Sequence, residues 1–242
     1  MKTKLLVFIS LLLLTSVSAC KKSGRPNNHS ISSNGNESET SESSDPDVIH
    51  DDSITLDSYR EAIESSKPTK IVTNMTYDVP NSNTKLHFYS SLVIEYGSMV
   101  KTSYSYSYEK LNEIVTGNEE MISTVVGTLY SNGSSIYDGV QWVNSVEKTT
   151  IVSSVDLNEN YASLDIIDGV LKGSVINSKA ERFFGHDYGV TDVVFELSLN
   201  KDYFLHKLKL DCTGYVETLR QEAPVHLETL YTYNAETVEL PQ

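Results

Sequence analysis

Only two cysteines, Cys20 and Cys212, occur in the 242 residues, so nothing here is stapled by a framework of disulfides. Basic residues are equally scarce: 19 Lys and Arg stand against 33 Asp and Glu, for a net charge of −14. A protein that neutralises phosphates needs a basic patch, so nucleic-acid binding is excluded as a first expectation. The longest apolar run, residues 5–14, is ten residues interrupted by Ser10. A helix needs about 20 apolar residues to cross a bilayer core, so this run is too short to be a membrane span. Tryptophan appears once, at Trp142, and proline six times. Gly-x-Ser-x-Gly, the phosphate-binding P-loop and the dinucleotide fingerprint are absent.

Other metal and nucleophile patterns fail on inspection. Asp156, Asn158 and Asn160 match the first positions of a calcium loop, but Tyr161 stands where glycine is needed and Ile167 where a bidentate glutamate is needed. Glu181, His186, Asp187 and Asp192 fit no zinc spacing. Ser-x-x-Lys recurs at Ser82, Ser107 and Ser145 without its partner sequences. Cys212 sits between strand-like leucines and reads as a buried, inert thiol. The expectation is a protein with no enzymatic activity, no cofactor and no metal.

What is present begins with export. Lys2 and Lys4 precede the apolar run, which ends in Val17-Ser18-Ala19-Cys20. This tripartite pattern is a signal sequence. Its end resembles the bacterial lipobox, in which the cysteine thiol receives diacylglycerol and becomes the first residue of the mature chain. The resemblance implies a signal peptide over residues 1–19, lipidation at Cys20 and an extracytoplasmic, membrane-anchored location, in the outer membrane if the organism has one. Two acyl chains give stable anchoring. Lys21, Lys22 and Arg25 follow, near the expected membrane surface.

The rest of residues 20–52 is mostly Ser, Asn, Asp and Glu, a composition too polar to order itself by burial. It reads as a tether with a mean span of about 30 Å. Residues 53–242 then form one β-rich domain. Thr55 suits a helix N-cap, with Ile54 and Tyr59 at the staple positions and Pro68 ending the helix. Beyond it the chain alternates with period two. Ile71, Thr73, Met75, Tyr77 and Val79 share one face; Leu86, Phe88, Leu92, Ile94 and Tyr96 share another. Tyr104, Tyr106 and Tyr108 alternate with Ser103, Ser105 and Ser107. Asn132-Gly133 and Asp138-Gly139 mark hairpins. Residues 147–168 read as a short helix or an excursion, residues 179–188 as a loop, and Ala223-Pro224 as the start of the last strand. The class is α+β, mostly β: about eight to ten antiparallel strands with one or two helices packed on the sheet.

The Thr55 helix feeding the first strand, residues 127–142 (GTLYSNGSSIYDGVQW) and the Tyr231-Thr-Tyr-Asn234 strand with its Val-x-Leu-Pro ending carry a further resemblance. Together they are similar to the half-barrel superfamily of bacterial lipid and lipoprotein carriers, of the LolA and LppX type. That resemblance implies a curved antiparallel sheet whose concave side holds an acyl chain against its helices. Met75, Phe88, Leu92, Ile94, Tyr104, Tyr106 and Phe195 would then line the ligand site. The shuttle members of that group are free proteins, whereas an anchored chain fits a receptor-like or lipid-binding role. Two functions follow: a membrane-anchored carrier or sensor of a lipid or other hydrophobic ligand, or a surface interaction, adhesin-like module of the envelope with a protein partner and no small-molecule ligand. The tyrosines serve either one, as core or as an exposed platform.

Overall fold

A computed structural model describes residues 47–49, 51, 53–78, 84–113, 119–137, 139–144, 157, 162–180, 189–216 and 221–242. Eleven antiparallel strands form one open sheet, with a single α-helix among the described residues. The strands are β1 (Lys70–Asp78), β2 (Thr84–Glu95), β3 (Lys101–Glu113), β4 (Glu119–Ser131), β5 (Ser135–Tyr137), β6 (Trp142–Asn144), β7 (Ala162–Ile167), β8 (Val170–Val175), β9 (Val190–Leu199), β10 (Leu205–Val216) and β11 (Gln221–Thr232). Their order is β6-β5-β4-β3-β2-β1-β11-β10-β9-β8-β7. Two meanders are therefore joined where the last strand pairs with the first, Lys70 opposite Thr232 through Tyr77 opposite Val225.

Strict alternation builds the central strands. In β1 every second residue is buried, with Ile71, Thr73, Met75 and Tyr77 on the covered face. Leu86, Phe88, Ser90, Leu92 and Ile94 of β2 join them, as do Leu208 and Leu210 of β10, and Val225, Leu227 and Tyr231 of β11. On the opposite face a charged row runs across β8, β9 and β10: Lys172 lies 2.7 Å from Glu196, which also faces Lys209 at 3.9 Å. Such cross-strand pairs help fix the register.

The helix α1 (Leu56–Ser65) forms as its sequence directs. The Thr55 hydroxyl accepts from the Ser58 N–H, and the Ser58 hydroxyl accepts from the Thr55 N–H. Tyr59 and Ala62 are its buried residues. The Tyr59 hydroxyl donates to the Gly169 carbonyl at 2.5 Å and accepts from the Leu171 N–H at 3.0 Å. Burial pushes this phenol up to about 12, with the Leu171 N–H pulling the other way. After the helix, the Ser66 hydroxyl accepts from the Leu205 N–H. The helix is thus bolted to the end of the sheet where β8 and β10 begin.

Three features differ from the expectations of the sequence. The strand count exceeds eight to ten, partly because residues 162–167 are not a helix or excursion but β7, paired along its length with β8. Asp168 (φ 52°) and Gly169 (φ 77°) close that hairpin, both in the left-handed region that a type I′ turn demands. At the Asn132-Gly133 hairpin the central pair is Gly133-Ser134, one residue later than read, because the Asn132 side chain accepts from the N–H groups of Ser134 and Ser135. Pro224 does not begin the last strand; it lies inside β11 opposite Thr213. Its missing N–H is tolerated because the β1 pairing stops one residue away, at Val225. Cys20 with its signal sequence, Asp156, Asn158 and Asn160 of the calcium-like pattern, the loop at 181–188, Ser82 and Ser145 lie outside the described residues.

Segments flanking the domain are also tied down. Val48 bridges Asn200, and the Ile49 N–H donates to the Leu199 carbonyl at 3.1 Å. At the other terminus the Glu95 carboxylate accepts from Lys101 at 2.8 Å and from the Val238 N–H at 2.8 Å. The Thr69 hydroxyl donates to the carbonyl of Asn234, strapping the C-terminal tail across the start of β1.

Candidate functional site

The covered face brings the sequence-selected residues together. Met75 sits opposite Phe88, Leu92 opposite Tyr104, and Ser90 opposite Tyr106, so six of the seven form one patch across β1, β2 and β3. Phe195 lies apart on β9, opposite Leu210 of β10 and Gly173 of β8. Met75, Phe88, Leu92, Ile94 and Phe195 are almost wholly buried, and Tyr104 nearly so at 9% exposed. Tyr106 is half-buried, with its ring stacked 5.9 Å from that of Tyr104. Of the two readings of these tyrosines, core or exposed platform, Tyr104 follows the first. Tyr108 lies on β3, and its side chain falls outside the description.

Tyr77 belongs to this face and was not singled out among the expected lining residues. Its ring meets Phe88 edge-on at 5.5 Å, and its residue is only 1% exposed. Among the described residues the hydroxyl has no hydrogen-bond partner. Burial, with a smaller contribution from the Cys212 thiol, raises its pKa. Cys212 occupies the matching place across β11, because Tyr77 and Cys212 both flank Val225. Burial pushes that thiol up to about 12, which makes it a poor nucleophile. Nearer the helix, burial pushes the Tyr104 phenol up to about 12 as well. The Ser90 hydroxyl offsets this in part but stands outside hydrogen-bond geometry. On the same face the Thr73 and Thr229 hydroxyls pair at 3.1 Å. The face is thus apolar along its length, with a phenol toward each end.

On the opposite face, the His226 ring lies 2.6 Å from Asp211 through Nδ1 and 3.4 Å from Asp78 through Nε2, and Lys85 stands 3.4 Å from Asp78. The Asp211 hydrogen bond, above all, raises the His226 pKa. These groups bind three strands together across β11. Among the described residues no group of three or more His, Cys, Asp or Glu is placed to hold a metal ion. Asp192 is engaged by Asn177 and Thr191 and held below its ordinary value by them. Among the described residues no helix is long and apolar enough to cross a membrane.

No family model and no curated protein matches this chain.

Proposed function

We propose that the chain is an exported lipoprotein, anchored at the extracytoplasmic face of a cell membrane through Cys20, whose covered sheet face binds a lipid or another hydrophobic ligand as carrier or sensor. The observation that carries this reading is the Tyr77 hydroxyl, buried in an apolar surrounding with no hydrogen-bond partner among the described residues. A hydroxyl desolvated without a hydrogen bond costs on the order of 1–3 kcal/mol. The polar end of an amphiphile, accepting from that phenol, offsets the cost. Its apolar part then lies along Phe88 and Met75 toward Leu92, at about 0.8 kcal/mol per methylene buried.

Native mass spectrometry of the chain purified from a bacterial envelope tests the proposal. A stoichiometric lipid adduct that weakens in Tyr77→Phe is the expected result; a bare polypeptide mass in both proteins sinks it. Metabolic labelling with a palmitate analogue tests the anchor separately, since wild type should be marked and Cys20→Ala should not.

A second reading, a surface interaction module of the envelope, draws on the opposite face. There Tyr130, Tyr137 and Trp142 stand in register across β4, β5 and β6, with ring centroids 6.4 and 5.4 Å apart. Crosslinking from Trp142 in intact cells, yielding one defined protein adduct, would favour it.

A further inference from the structure

The turns at the helix end of the sheet carry large apolar side chains at their tips. The β2–β3 turn exposes Tyr96, Met99 and Val100 at 41, 48 and 36%. The β9–β10 turn exposes Tyr203 and Phe204 at 43 and 36%, and the β7–β8 turn exposes Ile167 at 48%. By strand order the first two tips lie about four strand spacings apart, roughly 19 Å, with the third about 10 Å further on. Scattered exposed apolar residues need no explanation. These six sit on three turns at one end of one sheet.

Their setting is not relaxed. Tyr203 has φ 61°, a left-handed conformation that bulky residues adopt at a cost and glycine would adopt freely. The turn enforces it through the Asn200 side chain, which accepts from the N–H groups of Asp202 and Phe204, and through the Tyr203 N–H bonded to the Asn200 carbonyl. The hydroxyls of both tyrosines are held from behind: Tyr203 donates to Asp51 and Tyr96 to the Pro68 carbonyl. Their rings remain partly exposed. Amphipathic rings on a rim, with apolar aliphatic tips among them, are the composition of a membrane–water interface.

The path of the chain names the occupant. Val48 bridges Asn200 at the base of the Tyr203 turn, and Asp51 bonds Tyr203 itself. The segment leading back toward Cys20 therefore leaves the domain at this rim. Resting on the proposed anchor at Cys20, we infer that the rim formed by Tyr96, Met99, Val100, Ile167, Tyr203 and Phe204 docks on the lipid bilayer, holding the sheet end-on to the membrane. Rim charges are of both signs: Lys101 pairs with Glu95 and Lys70 with Glu236, while Lys201 and Asp202 stand exposed beside Tyr203 and Asp168 beside Ile167. Attachment by apolar insertion, and not by attraction to anionic lipid, is what this chemistry describes. It should persist in phosphatidylcholine and in high salt.

The test uses the full lipidated chain in phosphatidylcholine vesicles, with an environment-sensitive fluorophore on Met99→Cys, Ile167→Cys or Tyr203→Cys. Val194→Cys, exposed in mid-strand on β9, is the control, and every variant carries Cys212→Ala so that the half-buried thiol takes no label. Labelled proteins are first matched to wild type by circular dichroism and thermal melting. We expect brominated lipid to quench at least two of the rim probes threefold or more above the Val194 probe, equally in 0.1 and 1 M salt. Flotation with rim probes no better quenched than Val194 overturns the docking while leaving the anchor intact. A chain that does not float with the vesicles overturns the anchor and the docking together. Rim probes that become shielded only as protein density rises, without lipid quenching, mark contact between copies and overturn the assignment to lipid.

Discussion

Gly173→Ala should destabilise the domain far more than Gly127→Ala, although each glycine faces an aromatic ring across a strand pair. A Cβ on Gly173 would sit 2.7 Å from both Cε1 and Cζ of Phe195 and 2.7 Å from the Ser163 carbonyl oxygen. Ordinary carbon contacts are about 3.5–4.0 Å, so the ring overlap approaches 1 Å. Phe195 is 1% exposed and cannot swing out, and the carbonyl belongs to the β7 backbone. Overpacking of this kind costs about 1–3 kcal/mol, and replacing glycine by alanine in a strand returns about 0.5–1. With ring and backbone both violated, the net loss should be about 2 kcal/mol. For a domain of this size that lowers the melting temperature by about 4–8 °C. The contact at Gly127 is with the far end of Tyr106, half-buried and free to turn, so the net change there should stay within about 1 kcal/mol. Thermal melts followed by circular dichroism read both, and Phe195→Leu should recover part of the Gly173→Ala loss in the double variant. A Gly173→Ala protein melting within about a degree of wild type, or Gly127→Ala proving the worse of the two, would refute the reasoning.

Tyr59→Phe removes one hydroxyl that serves both a buried carbonyl and a buried N–H, and it should cost about 2–3 kcal/mol in a denaturant melt without shifting the m-value. Tyr77→Phe should act in the opposite direction, raising the stability of ligand-free protein by about 1 kcal/mol, because the deleted hydroxyl has no partner to lose. Glu95, held below 4.5 by Lys101 and then by the Val238 N–H, contributes stability present above that value and lost as pH falls through its depressed folded pKa. His226, raised above 6.5 chiefly by Asp211, contributes stability present below 6.5 and lost as pH rises through its raised folded pKa. Melting temperature should therefore be higher near pH 5.5 than near pH 8, and His226→Gln should narrow that difference; an unchanged difference would show that the Asp211 pairing contributes nothing.

Which parts of the fold could be read in advance follows from the range over which each signal acts. The β1 face from Ile71 to Tyr77 and the β2 face from Leu86 to Ile94 were legible because one buried face forces period two on neighbouring residues. The Thr55 cap was legible because both of its partners lie within four residues. Strand β7 was not. Over residues 163–167 Leu164 and Ile166 are no more than half-buried and Ile167, on the other face, is an exposed apolar residue, so the alternation of apolar with polar is faint. Asp168-Gly169 is nonetheless the same dipeptide that announces hairpins elsewhere, and it was the available signal. Pro224 misled because a proline ends pairing on one side of a strand only, and the sequence does not say which side still has a neighbour.

The site divides along the same line. Met75, Phe88, Leu92, Ile94 and Tyr104 were found because lining a ligand and filling a core demand the same alternation, and for that reason their burial does not choose between the two. Tyr77 can choose. Its position on the face is a local fact, but its lack of a partner depends on what β2, β10 and β11 do not supply, and no pattern within β1 encodes that. A core optimised only for packing would carry phenylalanine there, gaining stability and losing nothing. On the proposed reading, a phenol with no partner among the described residues, at the end of an apolar face remote from the helix, is half of a hydrogen bond whose other half arrives with a ligand. This is why Tyr77→Phe is the decisive substitution. A rise in apo stability together with weaker lipid retention separates a binding site from a filled core, whereas a rise with retention unchanged assigns the hydroxyl no role in binding.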